Sequence, residues 1–402
     1  MKNLRNILLT TATALVVLSS CEEQKKSPEL TVSGLNPADF EMTVSDPVDG
    51  DKQVGLYVLK NANGMEVCIT NYGGRVVSLV VPDRDGKPTD VVLGYDNIKQ
   101  YADTLNSPSD YGSSVGRYAN RIKDGKITID GVEYHLRQND NGNGAAHCLH
   151  GGGNTGWMHQ VYEAEQIGDS ILKLTIVGKD GENGFPGKVM AVTTYKLTAD
   201  NVLDMTWEAE TDKPTIINQT NHNYYNLNGD FTQPGYDMVL YVNADNFTPS
   251  DKLYIPTGEI KSVEGTPMDF RTPHAVGDSI HSDFDQIQNA TGYDHNFCLN
   301  TFKDGKGDDT QVCASLYSPK TGIFMEMFTN EPGVQVYSGN FQGVGPDAKI
   351  ARKHGLTYPK HVSVCLESQK YPDSPNHSDW IQPTLNPGEK YYSHAAYKFS
   401  IK

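Results

Sequence analysis

The sequence predicts an all-β protein, folded as one large single-domain antiparallel β-sandwich. Three observations carry this expectation. Short runs of alternating apolar and polar residues recur along the chain, as strands with one buried face require. No segment keeps i, i+3, i+4, i+7 apolar spacing for more than about two helical turns. The 38 Gly and 21 Pro supply turns for many short strands.

Residues 1–20 stand apart from the fold. Lys2 and Arg5 form a basic head, Ile7 to Leu18 is a short run dominated by apolar residues and Thr, and Leu18-Ser19-Ser20-Cys21 follows. This is the layout of a secretory signal, too short to cross a bilayer as a helix. Leu-Ser-Ser-Cys resembles the bacterial lipobox, which implies a lipid on Cys21 and a mature chain beginning there. Glu22-Glu23 resembles the export signal of surface lipoproteins in some Gram-negative bacteria. The expected location is therefore the bacterial envelope, lipid-anchored and facing the periplasm or the outside. Residues 21–39 are rich in Lys, Glu, Ser and Pro and read as a flexible tether. No later linker, charge block or short repeat interrupts residues 40–402, which read as the folded domain.

Within that domain the expected strands follow in order. Val67–Asn71 is the first. Lys126–Leu136 reads as a hairpin around Asp130-Gly131, a turn pair suited to a tight reversal. Leu172–Val177, Lys188–Leu197 and Val202–Ala209 alternate at hairpin spacing, and Met238–Val242, Val312–Tyr317, Ile323–Thr329 and Val362–Leu366 complete the set. Asp96–Leu105 is the best short helix. Cys68, Cys148, Cys298, Cys313 and Cys365 are odd in number and form no Cys-x-x-Cys pair, so buried free thiols are expected rather than a bridge.

Composition excludes some functions. With 34 Lys and Arg against 50 Asp and Glu, the formal charge is −16. Such a chain repels phosphate backbones and anionic lipid, so neither a nucleic acid nor a polybasic membrane contact is expected; the membrane enters only through the N-terminal anchor. The surroundings of His147 and His150 lack the grouped ligands of a zinc site, and no metal or organic cofactor is expected.

Five polar clusters in strand-like context are candidates for chemistry. They are Gly116–Ile122, with Arg117, Asn120 and Arg121; Leu149–Gly153, with His150; Asn218–Leu227, with His222 and Tyr224; Gly292–Phe297, with Asp294; and Cys365–Gln369, with Glu367. Each has an ordinary structural reading: the two arginines in ion pairs, His150 capping a turn, His222 as a satisfied core imidazole, Glu367 in a strand-end salt bridge. Amides and carboxylates flanked by aromatic rings are equally what a sugar site needs, because hydroxyls require such partners and the C–H face of a pyranose packs on a ring.

The clusters, in their order, resemble the galactose mutarotase (aldose 1-epimerase) family from about Asp39 to Lys402. The matching stretches include Asn71-Tyr72-Gly73-Gly74, Val115–Ile122, Leu149-His150-Gly151-Gly152, Asp180–Gly187 and Thr220–Gly229. Ile255-Pro256-Thr257-Gly258, Gly265–Arg271, Gly292–Phe297, Pro332–Tyr337, Cys365–Gln369 and Pro372–Asn376 continue the series. The resemblance implies the large β-sandwich of that family, the galactose mutarotase-like supersandwich. It also implies His222 as general acid, Glu367 as general base, and Asn120, Arg121, His150, Tyr224, Asp294 and Gln335 as sugar-binding residues. The implied activity interconverts the α and β anomers of a free aldohexose such as galactose or glucose, without a cofactor. A carboxylate near His222 is needed to keep its imidazole charged, and Asp294 is the expected one.

The departures from the family pattern are a longer, Gly/Asn-rich Asn139–Cys148, Trp157 and Tyr225. They bear on the rim and on sugar preference. Two other functions use the same residue types: a glycosidase with Glu367 and Asp294 as its carboxylate pair, and a sugar-binding lipoprotein without useful turnover. A hexose-phosphate epimerase would want a basic cluster that this acidic chain lacks.

Overall fold

The computed structural model describes residues 29–144 and 146–402. The expected signal segment and the expected lipidation site, Cys21, lie outside the described residues. No helix among the described residues is long and apolar enough to cross a membrane.

The fold begins before the expected boundary at Phe40. Leu35 and Phe40 are buried, the backbone N–H of Val32 donates to Glu66 Oε1 at 2.7 Å, and Pro37–Phe40 forms a 3-10 turn. The stretch is polar on average, and that average hid two apolar anchors which hold it against the domain. Any tether therefore ends near Thr31 rather than Asp39.

The regular structure is almost entirely antiparallel strand, joined by long turns and loops. A nine-stranded sheet runs, in spatial order, Glu163–Ile167, Ile171–Gly178, Val189–Leu197, Val202–Thr211, Tyr391–Ile401, Ile323–Thr329, Ala314–Tyr317, Val239–Val242 and His274–Ala275. The expected hairpins at Leu172–Ala209 fall here, while Lys126–Ile129 and Val132–His135 pair around Asp130-Gly131 as a separate two-stranded sheet. The middle strand, Tyr391–Ile401, was not anticipated: Tyr397, Phe399 and Ile401 alternate with Lys398 and Ser400, but the first half mixes tyrosine and alanine with Ser393 and His394 and carries no clear pattern. The expected Asp96–Leu105 helix is a single turn, Ile98–Ala102, capped by the Asn97 side chain.

Two smaller sheets form the opposing layer. Leu56–Lys60, Glu66–Thr70, Arg75–Pro82 and Pro88–Asp90 make one; Lys261–Ser262, Asn246–Thr248, Asp294–Cys298, Gly333–Tyr337 and Cys365–Gln369 make the other. Tyr225 joins them, bridging to Val92 on one side and Val364 on the other. That bridge is why the expected strand at Val362 begins its regular pairing only at Cys365. The main apolar core lies between the layers and takes residues from all three sheets, such as Ile69, Trp207, Phe297, Val336, Leu366 and Phe399. The five cysteines are free; four are buried and Cys298 is half-buried.

Strand alternation sets which face carries polar groups. Leu366, Val334, Val336, Phe297 and Tyr225 point into the core. Their neighbours Glu367, Gln335, Asp294 and Tyr224 consequently share the outer face of the smaller layer. Gln335 lies opposite both Asn296 and Glu367 in register.

A second pairing fixes the other half of that face. Ser114–Val115 pairs with Thr220–Asn221, the Gly112 N–H donates to the His222 carbonyl at 2.9 Å, and the His222 N–H donates to Ser113 at 2.9 Å. Gly112 has φ +67°, and a Cβ there would lie 2.0 Å from the Val76 carbonyl oxygen. Gly112→Ala is expected to cost about 4 kcal/mol through clash and backbone strain. Calorimetry should find Tm lowered by about 5 °C; an unchanged Tm would contradict this packing.

Candidate active site

The outer face of the smaller layer carries a cavity of about 350 Å³ whose walls include all of the anticipated site residues except Gln335. Gln335 stands just behind the wall: its Nε2 donates to Asp294 Oδ1 at 2.7 Å, while its Oε1 accepts from Gln369 Nε2 at 3.1 Å. Its amide is oriented from both ends, and it orients the Asp294 carboxylate in turn.

His222 and Glu367 face each other, with Nε2 3.7 Å from Oε1. Both are almost fully buried, and Glu367 Oε2 and His222 Nδ1 have no hydrogen-bond partner among the described residues. A buried carboxyl left this bare is costly unless function requires it. The His222 ring stacks on Tyr224, centroids 4.8 Å apart and planes 8° apart, with Tyr337 edge-on to both. The aromatic wall fixes the imidazole plane.

The Asn120 and His150 corner is built by backbone. Both residues have positive φ, and the Leu149–His150 stretch curls over Gly151, where a Cβ would meet the Gly116 carbonyl at 2.2 Å. The Asn120 N–H donates to His150 Nδ1 at 3.2 Å. A neutral His150 therefore carries its proton on Nε2 and acts as a donor in the cavity. Arg121 is held by Asp140, Nε to Oδ2 at 2.7 Å, and its guanidinium lies over the Tyr254 ring, 4.7 Å from the centroid. Arg117, in contrast, is buried and donates to the carbonyls of Lys179, Pro186 and Gly187, a structural role made with carbonyls rather than an ion pair.

The electrostatics correct one expectation. Burial lowers the His222 imidazole to about 3, and the carboxylate that opposes this is Asp110, not Asp294. Asp294 acts instead on Glu367, which burial first, then the Asp294 and Asp110 charges, raise well above its ordinary value. Burial likewise raises Asp294, against the pull of Arg121, and lowers His150, against the pull of Asp110. Burial would also raise Asp110, but the imidazoles of His150 and His222 and the Arg75 guanidinium outweigh it and hold it low, hence ionised.

Asp110 is the site residue that sequence reading missed. It sits in Ser107–Asp110, a polar stretch with no strand pattern of its own, and the only signal was its position two residues before Gly112. Asp110, His150 and His222 present atoms within 4.8 Å of one another, a spacing that suits a metal ion. The chemistry does not: the hydrogen bond into His150 Nδ1 puts the proton on Nε2, the nitrogen that would have to ligate.

The family model described as aldose 1-epimerase matches residues 55–398. A galactose mutarotase from Bos taurus is 35% identical over 364 residues, covering 90% of this chain and 99% of its own. The aldose 1-epimerase of Escherichia coli K12 is 35% identical, covering 86% and 94%. Among solved structures, a galactose 1-epimerase from Lactobacillus acidophilus superposes with a TM-score of 0.73 at 28% identity, over 90% of this chain and 98% of that one. By the family model and these relatives, the chain belongs to the aldose 1-epimerase family.

Proposed function

We propose that this protein interconverts the anomers of a free aldohexose, galactose or glucose, with His222 and Glu367 as the proton-transfer pair. The observation that carries the reading is the opposed, buried and otherwise unpartnered His222 and Glu367 on the floor of a polar, aromatic-walled cavity.

Ring opening moves two protons. The Glu367 carboxylate takes the O1 proton, the C1–O5 bond breaks as the C1=O1 double bond forms, and O5 takes the proton of the His222 imidazolium. The pair then stands as protonated Glu367 and neutral His222. Rotation about C1–C2 exposes the other face of the aldehyde. Reclosure returns one proton to O1 from Glu367 and one from O5 to His222, so the pair is restored. Each positioned group contributes about 10²–10⁴-fold. Arg121, His150, Asn120 and Asp294 serve to hold hydroxyls, with Gln335 orienting Asp294, so that O5 faces His222. Polarimetry on freshly dissolved α-D-galactose and α-D-glucose tests this. Glu367→Gln and His222→Asn should each lower kcat at least about 10²-fold, and a wild type no faster than buffer on both sugars would sink the reading in favour of a binding protein.

Charge placement gives a second test. Burial favours protonated Glu367 with neutral His222, the same state that ring opening leaves behind. The working form of the pair holds one proton. It gains a second only as pH falls through the depressed His222 value and loses its last as pH rises through the raised Glu367 value. The pH profile of kcat/KM should thus be a bell whose acid limb lies well below the ordinary imidazole value of about 6.5. Asp110 raises both groups, so Asp110→Asn should shift both limbs to lower pH by about one unit. Limbs that stay fixed would remove Asp110 from the electrostatics of the site.

We also propose that the protein is lipid-anchored to the bacterial envelope through Cys21, on the strength of the basic head, apolar run and Leu-Ser-Ser-Cys segment. Expressed in a bacterial host, wild type should partition into detergent and label with palmitate, while Cys21→Ser should do neither. A wild type that stays aqueous and unlabelled would refute the anchor.

A further inference from the structure

Asp110 takes part in neither proton transfer, yet it stands in the wall of the cavity. A side cavity of about 130 Å³ adjoins the first at this point, and Asp110 and His150 line both. Only the backbone carbonyl of Asp110 is engaged, by the N–H and the Oγ of Ser113, and no side chain among the described residues donates to its carboxylate. Arg75 underlies the segment, donating to the Ser109, Tyr111 and Met158 carbonyls at 3.2, 3.1 and 2.7 Å. Fully buried, it lines neither cavity. Against the burial of Asp110, the facing imidazoles of His150, His222 and His159 and the Arg75 guanidinium hold the carboxyl ionised. An ionised acceptor without a donor, open to the substrate cavity, is left for the substrate to meet.

Its place along the proton-transfer pair decides which part of the sugar meets it. Asp110, His150 and His222 present atoms within 4.8 Å of one another, and Glu367 feels the Asp294 charge more strongly than that of Asp110. Asp110 thus belongs to the His222 end of the cavity and Asp294 to the Glu367 end. In the ring opening described above, O1 lies at Glu367 and O5 at His222. The next ring atom beyond O5 is C5, which in a hexopyranose carries C6. The C6 substituent therefore comes to the corner of Asp110 and His150, beside the side cavity. No lysine or arginine among the described residues lines that side cavity. Arg121, the cation in the main cavity wall, is already paired to Asp140.

We propose that Asp110 reads the charge of the group on C6, so that the protein accepts aldoses with a neutral C6 and turns away uronates and 6-phosphates. The proposal rests on the epimerase reading above and deepens it by fixing the substrate class. A hydroxymethyl group can donate its O–H to Asp110, whereas a carboxylate or phosphate there sets two anions side by side with no cation between them. At about 5 Å and an effective dielectric of about 20, that repulsion amounts to a factor of about 100 or more in binding.

The test compares two sugars of the same shape, D-galacturonate and its neutral amide, D-galacturonamide. Each enzyme is assayed at its own optimum above about pH 5, where the uronate is ionised. Polarimetry should give wild type a kcat/KM for the amide about 100-fold above that for the anion. Asp110→Asn keeps the size of the side chain and removes its charge, and should narrow that ratio by about tenfold or more. Equal values for the two sugars in wild type overturn the proposal. A ratio that Asp110→Asn leaves unchanged also overturns it and moves the discrimination to another carboxylate. So does a wild type that turns over galactose but neither galacturonic sugar, because bulk and not charge is then refused. If galactose itself is not turned over, the epimerase reading fails instead, and saturation-transfer NMR decides the role of Asp110 alone. Contact to the amide in wild type, with contact to the anion appearing only in Asp110→Asn, sustains the proposal, and any other pattern overturns it.

Discussion

The site depends on the pleat of one strand. Along Cys365–Gln369 the side chains must alternate, and Leu366 is committed to the apolar core. Glu367 is thereby forced to the outer face, and the ladder to Gly333–Tyr337 sets Gln335 beside it. A shift of one residue in this register would bury the carboxyl in the core and expose Leu366. The core between the sheets therefore specifies the cavity face indirectly, by leaving those alternate positions no other place to go. The imidazole across the cavity is placed by an independent ladder, that of Ser114–Val115 with Thr220–Asn221. His222 and Glu367 thus arrive from separate sheets, and their 3.7 Å approach is set by how those sheets pack.

The same burial that makes the pair effective also resists its charging. Electrostatic interactions strengthen in a water-excluded cavity, yet burial drives both His222 and Glu367 toward their neutral forms. Three carboxylates share the space: Asp110 and Asp294 repel a charge on Glu367, Arg121 attracts it, and Asp110 favours a charge on His222. Arg121 and the two aspartates act in opposite senses on Glu367. Such a balance is suited to a reaction that leaves no net charge behind.

Much of this was legible in the sequence because the residues concerned carry strong local signals. Hairpins such as Val189–Leu197 with Val202–Thr211 alternate cleanly, and their register follows from the pattern. His222, Tyr224, Asp294 and Glu367 sit in polar clusters that break otherwise apolar strands. What escaped had no such contrast. Arg75–Pro82 is buried along almost its whole length and so does not alternate; Tyr391–Ile401 mixes tyrosine and alanine with polar residues; Leu35 and Phe40 are isolated apolar residues in a polar stretch. Asp110 is an ordinary loop aspartate until Gly112 folds its segment against His222. Which carboxylate stands near which titrating group is a long-range fact, and the expectation for Asp294 failed on that ground.

The placement of Tyr391–Ile401 has a bearing on how the molecule is made. This strand, near the C-terminal end of the sequence, is fifth of nine and joins Val202–Thr211 to Ile323–Thr329. Until it arrives, the two halves of the large sheet each present an unpaired edge, and both edges are central strands with no protection of their own. A nascent chain emerging from the ribosome can form local hairpins early, but it cannot close the sheet until about the last dozen residues are free. Folding is in this sense deferred to the end of synthesis. A keystone delivered last acts as a timing device, holding the large sheet open until the chain is complete.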